Sequence, residues 1–449
     1  MAAVAVATLT YAGTNGTDTA ASGSNAPTTA HTETSLSSQI SGTGAGTSFT
    51  FDAGAIDLTG VLDDGTDVLW TAGTAGERHL FRIVSYTGGK AACTALVVNE
   101  AIGGTTITAA NWAIGGKRKT MVNDTSRYDW IDMAAGWTFL FDNETQTITS
   151  APIAPTTGDV ATGPNTFASS DPASFQPVFS QANAASIFQI ATSTENIVID
   201  SLDLTMTATT LAGLPVNVTS ALAVCVKNCI IRPGTYHSVQ ITSVNGPIVI
   251  DNNEIIGSAN CDGGVKVTSG RSHVRITRNS IHGITSGPAL EDTDTTDTRD
   301  WTVDHNVLYG CAVGVQLGTV VDATNVSHTI EYNTIYNMSA AGIDVNGDSP
   351  GTSYQFNLVG NVISDCGTYG VDAPSGFENN IWRNSNNYYY NNTSGNWNNP
   401  PGGGTASFGT DDDNTETDPL FTNVGAGTED FTPASGSPLI DAGPVVPTA

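Results

Sequence analysis

The chain has 449 residues, of which 48 are glycine and only 13 % are charged. Its 43 acidic residues outnumber 15 Lys and Arg, and the formal net charge of -28 excludes tight binding to nucleic acid or to anionic lipid surfaces. Many glycines and few charges favour short strands joined by turns and argue against a helical protein.

The first 45 residues are dominated by Ala, Thr, Ser and Gly, a composition that predicts an extended arm or a disordered segment. The opening residues lack the positively charged start and the longer apolar run of a signal peptide. No stretch is apolar for long enough to cross a bilayer as a helix. We therefore expect synthesis in a cytosol, no export by the general route unless a leader has been removed, and no membrane insertion.

Residues 46–110 predict a small β module. Runs rich in apolar and β-branched residues, such as 80–84 and 95–98, are separated by turn residues. Residues 111–183 follow this module, and we expect them to form an N-terminal cap that leads into the next region. Such a cap is required because the first coil of a solenoid otherwise exposes apolar surface and unpaired strands.

One short pattern repeats through residues 184–395: an apolar residue, two further residues, Asn, one residue and a second apolar residue. The asparagines that carry it are Asn228, Asn253, Asn279, Asn306, Asn333 and Asn361. Successive asparagines are 25, 26, 27, 27 and 28 residues apart. An earlier copy, residues 199–204, has Leu202 in the asparagine position. A fixed period of this length is typical of a solenoid.

Each repeat contains short alternating runs, which indicate strands and not a helix. About ten residues after each asparagine a second run begins, often with Gly, as at Gly264 and Gly342. The asparagine is expected at a bend, where its side chain tolerates a left-handed backbone and hydrogen-bonds the main chain. Because stacked coils place these amides in a row, we predict a ladder of amides that bond to each other.

Six cysteines are present, and their spacing matches no zinc motif. Cys311 and Cys366 take the same position in their repeats, with Met338 in the repeat between them. Two sulfurs two strand spacings apart, about 10 Å, are too distant for a disulfide. We therefore predict buried, reduced thiols in an interior stack.

The composition changes after residue 395. A run rich in Gly, Pro and Asn is followed by the segments 418–421 (Asp-Pro-Leu-Phe) and 437–443 (Ser-Pro-Leu-Ile-Asp-Ala-Gly). We predict that residues 396–449 are a linker and a cap that covers the C-terminal end of the solenoid.

The coil pattern and the asparagine row resemble the right-handed parallel β-helix of the pectate lyase-like superfamily over about residues 184–395. This resemblance implies an all-β fold, but no particular activity, because the fold hosts many functions. The stretch from Thr14 to Arg118, with its run Trp-Ala-Ile-Gly-Gly-Lys-Arg, is similar to the N-terminal portion of β-helix proteins from phage and environmental viral genomes. The two C-terminal segments resemble the closing segment of many bacterial and viral β-helix proteins.

In glycan-cleaving enzymes of this fold, the chemistry lies on the outer face of the coils. The position two residues before the asparagine points outward and carries Asp251, Thr277, Asp304 and Glu331 in successive coils. Asp304 and Glu331 should lie one strand spacing apart, about 5 Å, which suits a retaining glycosidase. Neighbouring acids would raise one pKa enough for an acid role. Two solvated carboxylates on an acidic protein are the simpler interpretation.

Calcium is the only cofactor for which the sequence offers ligands. Asp292, Asp294 and Asp297 lie on an acidic loop, although their spacing does not match an EF-hand. A solvated acidic loop is the favoured interpretation, so we predict neither a metal nor another cofactor.

Basic residues are few, and four of the 15 cluster in one stretch: Lys266, Arg271, Arg275 and Arg278. Arg275 and Arg278 are candidate ligands of a sulfated or uronic glycan, with salt bridges to the acidic loop as the alternative. Trp382 and Tyr389 are candidates for stacking on sugar rings, or they pack the last coil. The Gly-His-Gly and Arg-x-Pro-x-x-Arg motifs known in polygalacturonases and pectate lyases are absent.

These features favour a bacteriophage virion protein, such as a spike, fibre or capsid decoration protein, made in the host cytoplasm. Phage β-helix spikes are commonly homotrimers, so the resemblance implies a homo-oligomer with other virion proteins and host surface polysaccharide as partners. The alternative is a glycan-degrading tailspike, or an extracellular polysaccharide lyase or glycoside hydrolase. The missing enzyme motifs favour a role without catalysis.

Overall fold

The structure is a computed structural model. It describes residues 8–11, 19–20, 29–30, 40–42, 47–51, 54–55, 57–59, 68–72, 78–98, 107–109, 111–114, 117–118, 138–141, 145–148, 153, 164–169, 171–182, 186–191, 196–207, 213–242, 244, 246–269, 273–293, 300–318, 326–345, 354–374, 381–398, 414–425 and 427–440. Within these ranges no helix has the length and apolarity needed to span a bilayer. The chain forms two compact units, residues 1–203 and 204–449.

The strands of the first unit are short. They are β1 (Thr8–Tyr11), β2 (Thr19–Ala20), β3 (Thr29–Ala30), β4 (Ile40–Gly42), β5 (Ser48–Phe51), β6 (Val68–Ala72), β7 (Arg78–Thr87), β8 (Ala95–Val98), β9 (Ile107–Ala109), β10 (Asn111–Ile114), β11 (Lys117–Arg118), β12 (Thr138–Phe141), β13 (Gln146–Ile148), β14 (Asn165–Ser169), β15 (Val178–Gln181), β16 (Phe188–Ile190) and β17 (Asn196–Asp200). A single 3₁₀ turn, Lys90–Ala92, interrupts the described strands.

Seven strands of this unit form an antiparallel sheet in the order β10-β6-β7-β8-β5-β4-β9. Phe49, Leu58 and Leu96 are fully buried at its core. The sheet occupies the span in which the sequence predicts a small β module, and it also includes residues 40–42 and 111–114. The described parts of the predicted arm are therefore strands of this unit, since β1 pairs with β12 and β4 with β5 and β9.

Parallel stacking begins well before residue 184. β12, β14 and β17 pair in parallel and in register, and so do β13 and β15. Aromatic rings fill their interior. The ring centroids of Phe141 and Phe179 are 4.7 Å apart, those of Phe167 and Phe188 are 5.2 Å apart, and both pairs pack edge to face. β12, β14 and β15 are missed by the sequence pattern because their buried interior residues include Phe141, Phe167 and Phe179 and no copy of the asparagine pattern covers them.

The second unit is built from one more set of short strands. They are β18 (Asp203–Met206), β19 (Val216–Val218), β20 (Ala223–Lys227), β21 (Ile230–Arg232), β22 (His237–Thr242), β23 (Ile248–Asp251), β24 (Glu254–Ile256), β25 (Gly263–Ser269), β26 (His273–Thr277), β27 (Ser280–His282), β28 (Pro288–Asp292), β29 (Asp300–Asp304), β30 (Val307–Tyr309), β31 (Val313–Leu317), β32 (Val326–Glu331), β33 (Thr334–Tyr336), β34 (Ile343–Val345), β35 (Tyr354–Val359), β36 (Val362–Ser364), β37 (Tyr369–Asp372), β38 (Ile381–Ser385), β39 (Tyr388–Tyr390), β40 (Gly395–Asn398), β41 (Phe421–Asn423) and β42 (Asp430–Pro433).

Three parallel sheets receive one strand from each coil. Sheet 1 has the order β20-β23-β26-β29-β32-β35-β38. Sheet 2 has the order β21-β24-β27-β30-β33-β36-β39. Sheet 3 has the order β19-β22-β25-β28-β31-β34-β37-β40. Each strand of sheet 1 pairs with the strand one coil later, so this unit is a right-handed parallel β-helix of seven coils. The solenoid predicted from the repeat is confirmed.

Interior columns explain the repeat's apolar and glycine positions. In sheet 1, Ile250, Ile276, Val303, Ile330 and Leu358 are in register and fully buried. Burying each such side chain contributes roughly 1.5–3 kcal/mol, and a register slip of one residue would turn the column to solvent. The glycine that opens strands of sheet 3 faces a crowded corner, because a Cβ on Gly342 would lie 2.5 Å from the Ile363 side chain.

The asparagine row forms a buried hydrogen-bonded ladder. Asn306 Oδ1 accepts from the backbone N and from Nδ2 of Asn279, each at 2.9 Å. Asn306 Nδ2 in turn donates to Ile276 O at 2.8 Å. The same contacts recur at the neighbouring ladder residues, each at most 2 % exposed: Asn253, Asn279, Asn333 and Asn361. One amide per coil therefore satisfies main-chain groups at the bend and holds two coils in register.

Asn228 does not belong to this ladder, which corrects the sequence prediction. Its backbone is left-handed, with φ of 55°, and the next residue, Cys229, takes the ladder position. Cys229 N donates to Asn253 Oδ1 at 2.9 Å. The inward residues of this coil are Val226 and Ile231, which pair with Ile250 and Ile255 of the next coil. The prediction is one residue early because Cys225 and Ile230 are also apolar and have the same spacing around Asn228.

The ladder extends beyond Asn361. Asn361 N donates to Asn387 Oδ1 at 2.9 Å, and Asn387 N donates to Asn414 Oδ1 at 2.8 Å. Asn387 escapes the sequence pattern because the residue three places before it is Asn384, a fully buried polar side chain. Asn384 Oδ1 accepts from Asn387 Nδ2 at 2.9 Å, so the last coil replaces an apolar contact with a hydrogen bond.

The predicted interior stack of thiols is confirmed. Cys311, Met338 and Cys366 are each at most 1 % exposed, and the two thiols form no disulfide. Burial raises the pKa of Cys311 and of Cys366 to about 12. Both sulfurs therefore remain protonated and unreactive at neutral pH.

The C-terminal segment covers more than the end of the solenoid. A parallel bridge at Thr415 extends the last coil. β41 and β42 then pair as an antiparallel hairpin that lies against the outer face of sheet 2. There the ring centroid of Phe431 is 5.1 Å from that of Tyr309 and 5.4 Å from that of Tyr336. Phe421 completes the contact, 5.3 Å from Phe431.

We expect Asn306→Leu to lower the free energy of unfolding by about 1–3 kcal/mol, because buried partners in the adjacent coils lose their hydrogen bonds. Urea unfolding followed by circular dichroism measures the change. The matched control is Asn357→Leu on the outer face of sheet 1, which should stay within about 0.5 kcal/mol of the native protein. Equal effects at both positions would contradict a stabilising ladder.

Candidate functional site

The outward residues of sheet 1 form two columns across the coils. The first holds Arg275, Thr302, Thr329, Asn357 and Arg383. The second, two residues further along each strand, holds Asp251, Thr277, Asp304 and Glu331. Register alone therefore places acidic, basic and hydroxyl side chains beside one another on a single surface.

A third column lies at the bend between sheets 1 and 2, one residue before each ladder position. All its members have a left-handed backbone, with φ between 52° and 66°: Asn228, Asn252, Arg278, His305, Tyr332, Gly360 and Asn386. Asn and Gly accept this conformation readily, whereas other residues adopt it at a cost of about 1–2 kcal/mol each. Arg278, His305 and Tyr332 occupy three successive coils, so the strained positions are concentrated at one place on this surface.

Asp304 lies at the centre of this surface and is only 2 % exposed. Its carboxylate accepts hydrogen bonds from Arg275 Nε at 3.1 Å, from His305 Nδ1 at 3.0 Å and from the Thr277 hydroxyl. Burial by itself raises the pKa of Asp304, but these three hydrogen bonds and the charge of Arg275 outweigh it and hold the pKa below its ordinary value. Asp304 is therefore ionised at neutral pH.

The ionised carboxylate determines which nitrogen of His305 carries the proton. Since a carboxylate without a proton can only accept, Nδ1 is the donor, and in the neutral imidazole Nε2 is left with the lone pair. The His305 side chain is 61 % exposed, so solvent and ligands reach it. An imidazole oriented in this way is suited to general-base catalysis.

The aromatic ring of Tyr332 packs beside the imidazole of His305. The two ring centroids are 5.3 Å apart at an interplanar angle of 32°. The Tyr332 ring lies over Gly360 of the next coil, where a Cβ would come within 2.7 Å of it. With 37 % of its surface exposed, Tyr332 presents its ring to solvent although the site is otherwise polar.

Two arginines lie in the coil before His305. Arg275 is held through Nε by Asp304, and Arg278 is held by Asp251, which accepts from Nε at 2.9 Å and from Nη2 at 2.6 Å. The Arg275 and Arg278 side chains are 61 % and 63 % exposed. Each guanidinium group has further N–H donors beyond the bonds to these two aspartates. We call Arg275, Arg278, Asp304, His305 and Tyr332 the outer-face platform.

The three candidate catalytic carboxylates are placed differently from one another. Asp304 and Glu331 are neighbours in register, as the sequence predicts, whereas Thr277 separates Asp251 from Asp304. The expectation that crowded acids raise a pKa here is wrong for Asp304, because arginine and histidine, not other acids, contact its carboxylate. His305 and Tyr332 are absent from the sequence prediction. They could have been found as the only rings that immediately precede a ladder asparagine.

The candidate calcium ligands do not form a site in the described residues. Asp292 is an inward residue of sheet 3, 3 % exposed, with its carboxylate 3.9 Å from Nε2 of the buried His328. It is therefore not part of a solvated acidic loop. Asp294 and Asp297 lie outside the described residues. Over the described ranges, no group of three or more His, Cys, Asp or Glu is placed to hold a metal ion.

Tyr389 is an interior residue, so its predicted role in sugar stacking is wrong. It is 3 % exposed, its ring packs edge to face on Trp397 at 6.2 Å, and its hydroxyl lies 3.3 Å from Asn384 Oδ1. The alternative interpretation, packing of the last coil, applies. Trp382 lies in β38, and its side chain is outside the described residues.

The basic cluster predicted from the sequence is divided between two faces. Lys266 belongs to sheet 3, where Glu291 accepts from Lys266 Nζ at 3.1 Å and contacts His237 Nε2 at 2.7 Å. Burial raises the pKa of Glu291, but the hydrogen bonds from His237 and Lys266 hold it below its ordinary value. Arg271 lies outside the described residues. Among the members of the cluster that the structure describes, Arg275 and Arg278 share a surface and Lys266 lies on another.

Comparison with known proteins supports the fold alone. Residues 212–394 match the family model described as "Right handed beta helix region". The crystal structure of the periplasmic alginate epimerase AlgG is similar over 63 % of this chain and 75 % of that one, at 12 % identity and a TM-score of 0.33. The tailspike protein gp49 of Pseudomonas phage LKA1 is similar over 77 % of this chain and 66 % of that one, at 9 % identity and a TM-score of 0.16. Both TM-scores are below 0.5, so neither likeness bears on activity. No curated protein matches the chain significantly.

We expect Gly360→Ala to destabilise the protein more than Gly310→Ala. Both glycines have positive φ, 66° and 61°, so both substitutions add backbone strain of about 1–2 kcal/mol. At Gly310 the nearest atom to a Cβ is 4.0 Å away, whereas at Gly360 the Tyr332 ring must also move. Thermal and urea unfolding measure the difference.

Tyr332→Ala combined with Gly360→Ala should remove this difference, because the displaced ring is then absent. Equal costs at the two glycines in the presence of Tyr332 would contradict the position of the ring over Gly360.

Proposed function

We propose that the outer-face platform binds an acidic glycan, and that the chain acts as a surface-exposed β-helix protein of a bacteriophage virion. One observation carries the binding proposal: two arginines with exposed side chains lie in one coil, two coils before an exposed aromatic ring, on a chain of formal net charge -28. The overall field of such a chain repels polyanions. Two exposed arginines in one coil, although each also bonds to an aspartate, therefore favour binding at one place over general adhesion.

The chemistry of the platform suits a sugar that carries carboxylate or sulfate groups. Guanidinium groups recognise such anions through two parallel hydrogen bonds, and anchoring by Asp304 and Asp251 reduces the entropy lost on binding. The face of the Tyr332 ring offers apolar surface to the C–H face of a sugar ring, which gains from being removed from water. Charge and shape are thus both supplied within three adjacent coils.

We expect Arg275→Gln and Arg278→Gln each to weaken binding of an acidic polysaccharide by about 10-fold or more, since hydrogen bonds to charged groups contribute about 1.5–3 kcal/mol. Affinity electrophoresis in gels that contain polygalacturonate, polymannuronate or heparin measures the change, with neutral dextran as the reference. Binding should also weaken as salt is added.

The matched control is Arg383→Gln. Arg383 is exposed in the same outward column of sheet 1, but it lies four coils from Arg275 and its Nε contacts Ser385 Oγ at 2.9 Å. An equal loss for all three variants would indicate a general charge effect and contradict a localised site.

The virion role is supported by the resemblance of the N-terminal stretch to β-helix proteins from phage and environmental viral genomes. The closing segments resemble those of both bacterial and viral β-helix proteins, so they agree with this role without favouring it. Gold-labelled antibody should therefore mark the surface of purified particles, and light scattering should show a trimer, since a closed ring suits a side-by-side contact of long solenoids. A protein that is absent from particles, or that is a monomer both free and on the particle, would contradict this role.

Cleavage of the bound glycan is the second candidate function. Binding alone requires no oriented base, yet the exposed imidazole of His305 is held through Nδ1 by Asp304. This pair favours catalysis more specifically than the neighbouring carboxylates Asp304 and Glu331 do.

A further inference from the structure

We propose that His305 makes the outer-face platform a pH-dependent binding site, which holds an acidic glycan more tightly when the imidazole is protonated. The inference rests on the proposed binding of an acidic glycan and adds its regulation. It starts from the Asp304–His305 pair, in which a buried carboxylate holds an exposed imidazole at a left-handed bend position.

The positive and negative charges of the platform cancel while the imidazole is neutral. Arg275 is bonded to Asp304, and Arg278 is bonded to Asp251 through two of its nitrogens. The two arginines are thus balanced by the two aspartates that hold them. Because an anion responds to the whole local charge and not to the arginines alone, the neutral platform offers it hydrogen-bond donors but no excess positive charge. One added proton supplies that excess.

The imidazole is the part of the platform whose charge changes near neutral pH. Carboxylates, guanidinium groups and phenols ordinarily keep one charge state between about pH 5.5 and 8, whereas an imidazole gains or loses its proton there. The charged and titratable groups around it in the described strands are Asp304 on its own strand, Arg275 and Arg278 in the coil before, and Tyr332 and Glu331 in the coil after.

Asp304 does not compete with the imidazole for this proton. Burial raises the pKa of Asp304, but hydrogen bonds from Thr277, His305 and Arg275 outweigh it and hold the pKa below its ordinary value. The carboxylate therefore stays ionised over the range in which an imidazole titrates. A proton taken up there goes to His305, and the adjacent negative charge stabilises the imidazolium.

Protonation also changes which groups the imidazole can bond. Neutral His305 donates from Nδ1 to Asp304, so its Nε2 is an acceptor and cannot bond to a carboxylate or sulfate oxygen. In the imidazolium both nitrogens are donors, so Nε2 offers an anion a charge-assisted hydrogen bond while Nδ1 remains with Asp304. The side chain is 61 % exposed, which makes the imidazole accessible to a ligand.

We expect the native chain to bind an acidic glycan about 5-fold or more tightly at about pH 5.5 than at about pH 8, because one positive charge is added at the site. The probes are heparin and polygalacturonate, whose sulfate and carboxylate groups stay ionised over this range. Isothermal titration calorimetry at constant ionic strength gives the dissociation constants. Titrations in two buffers of different ionisation enthalpy should show net proton uptake on binding, since a proton that strengthens glycan binding is itself bound more tightly with the glycan in place.

His305→Asn removes the titrating group and keeps the bend, since Asn252 and Asn386 hold the same position with φ of 52° and 58°. Thermal unfolding checks that the fold is kept. The readout is the ratio of the two affinities within each protein, which we expect to fall to about 2-fold or less, because the remaining histidines act only through the net charge. Proton uptake on binding should be lost with it. A ratio that survives in His305→Asn would overturn the proposal.

The matched control is His273→Asn. His273 is a second exposed imidazole on sheet 1, with Nδ1 3.0 Å from Asp300 Oδ2, but it is not part of the platform. We expect this variant to keep the affinity ratio and the proton uptake of the native chain. An equal loss in both variants would mean that protonation acts through the overall charge, which would overturn the assignment to His305.

The native chain alone separates failure of this inference from failure of the proposed function. Binding that is equally tight at both pH values would overturn the regulation by His305 and leave the glycan-binding proposal intact. Failure to bind either polymer at either pH would overturn both.

Discussion

The whole solenoid depends on how its bends satisfy buried main-chain groups. At the corner between sheets 1 and 2 the backbone turns inward, and one asparagine amide per coil bonds to the coils before and after it. Leaving such groups unsatisfied would cost more than the apolar contacts of a single bend provide. The ladder therefore fixes both the position of each bend and the register between coils, and every column of the outer surface inherits that register.

This constraint explains why a functional surface forms just outside the ladder. The residue before each ladder asparagine is forced into a left-handed conformation and points to solvent, so one such side chain appears per coil at a constant place. Where the slot holds Asn or Gly, the position is only a bend. Where it holds Arg278, His305 and Tyr332, the same geometry arranges a cation, an imidazole and an aromatic ring in a row. The strain at these positions is offset by the ladder beside them.

The sequence predicts the ladder and the sheets well because both have a period. Asn253 to Asn361 repeat in fixed surroundings, and the apolar columns follow from alternation. The prediction is wrong at Asn228 since two overlapping registers carry apolar residues there, and only the hydrogen bond from Cys229 N distinguishes them. It stops before Asn387 because a buried Asn384 replaces the expected apolar residue.

The candidate site could be predicted only in part. Register places Asp304 beside Glu331, and it places Arg275 two residues before Thr277 on the same strand. Whether Asp304 is solvated or buried depends on how Arg275 and Thr277 of the preceding coil and His305 of its own coil fold over it, which no periodic pattern encodes. Tyr389 shows the same limit: three consecutive tyrosines alternate inward and outward, and the middle one enters the core.

The most direct test of the account is a crystal structure of the protein soaked with a uronic acid oligosaccharide. The account predicts a sugar carboxylate within hydrogen-bonding distance of Arg275 and Arg278 and a sugar ring over Tyr332. A sugar bound on sheet 3 or on the C-terminal hairpin, with the outer-face platform empty, would contradict it.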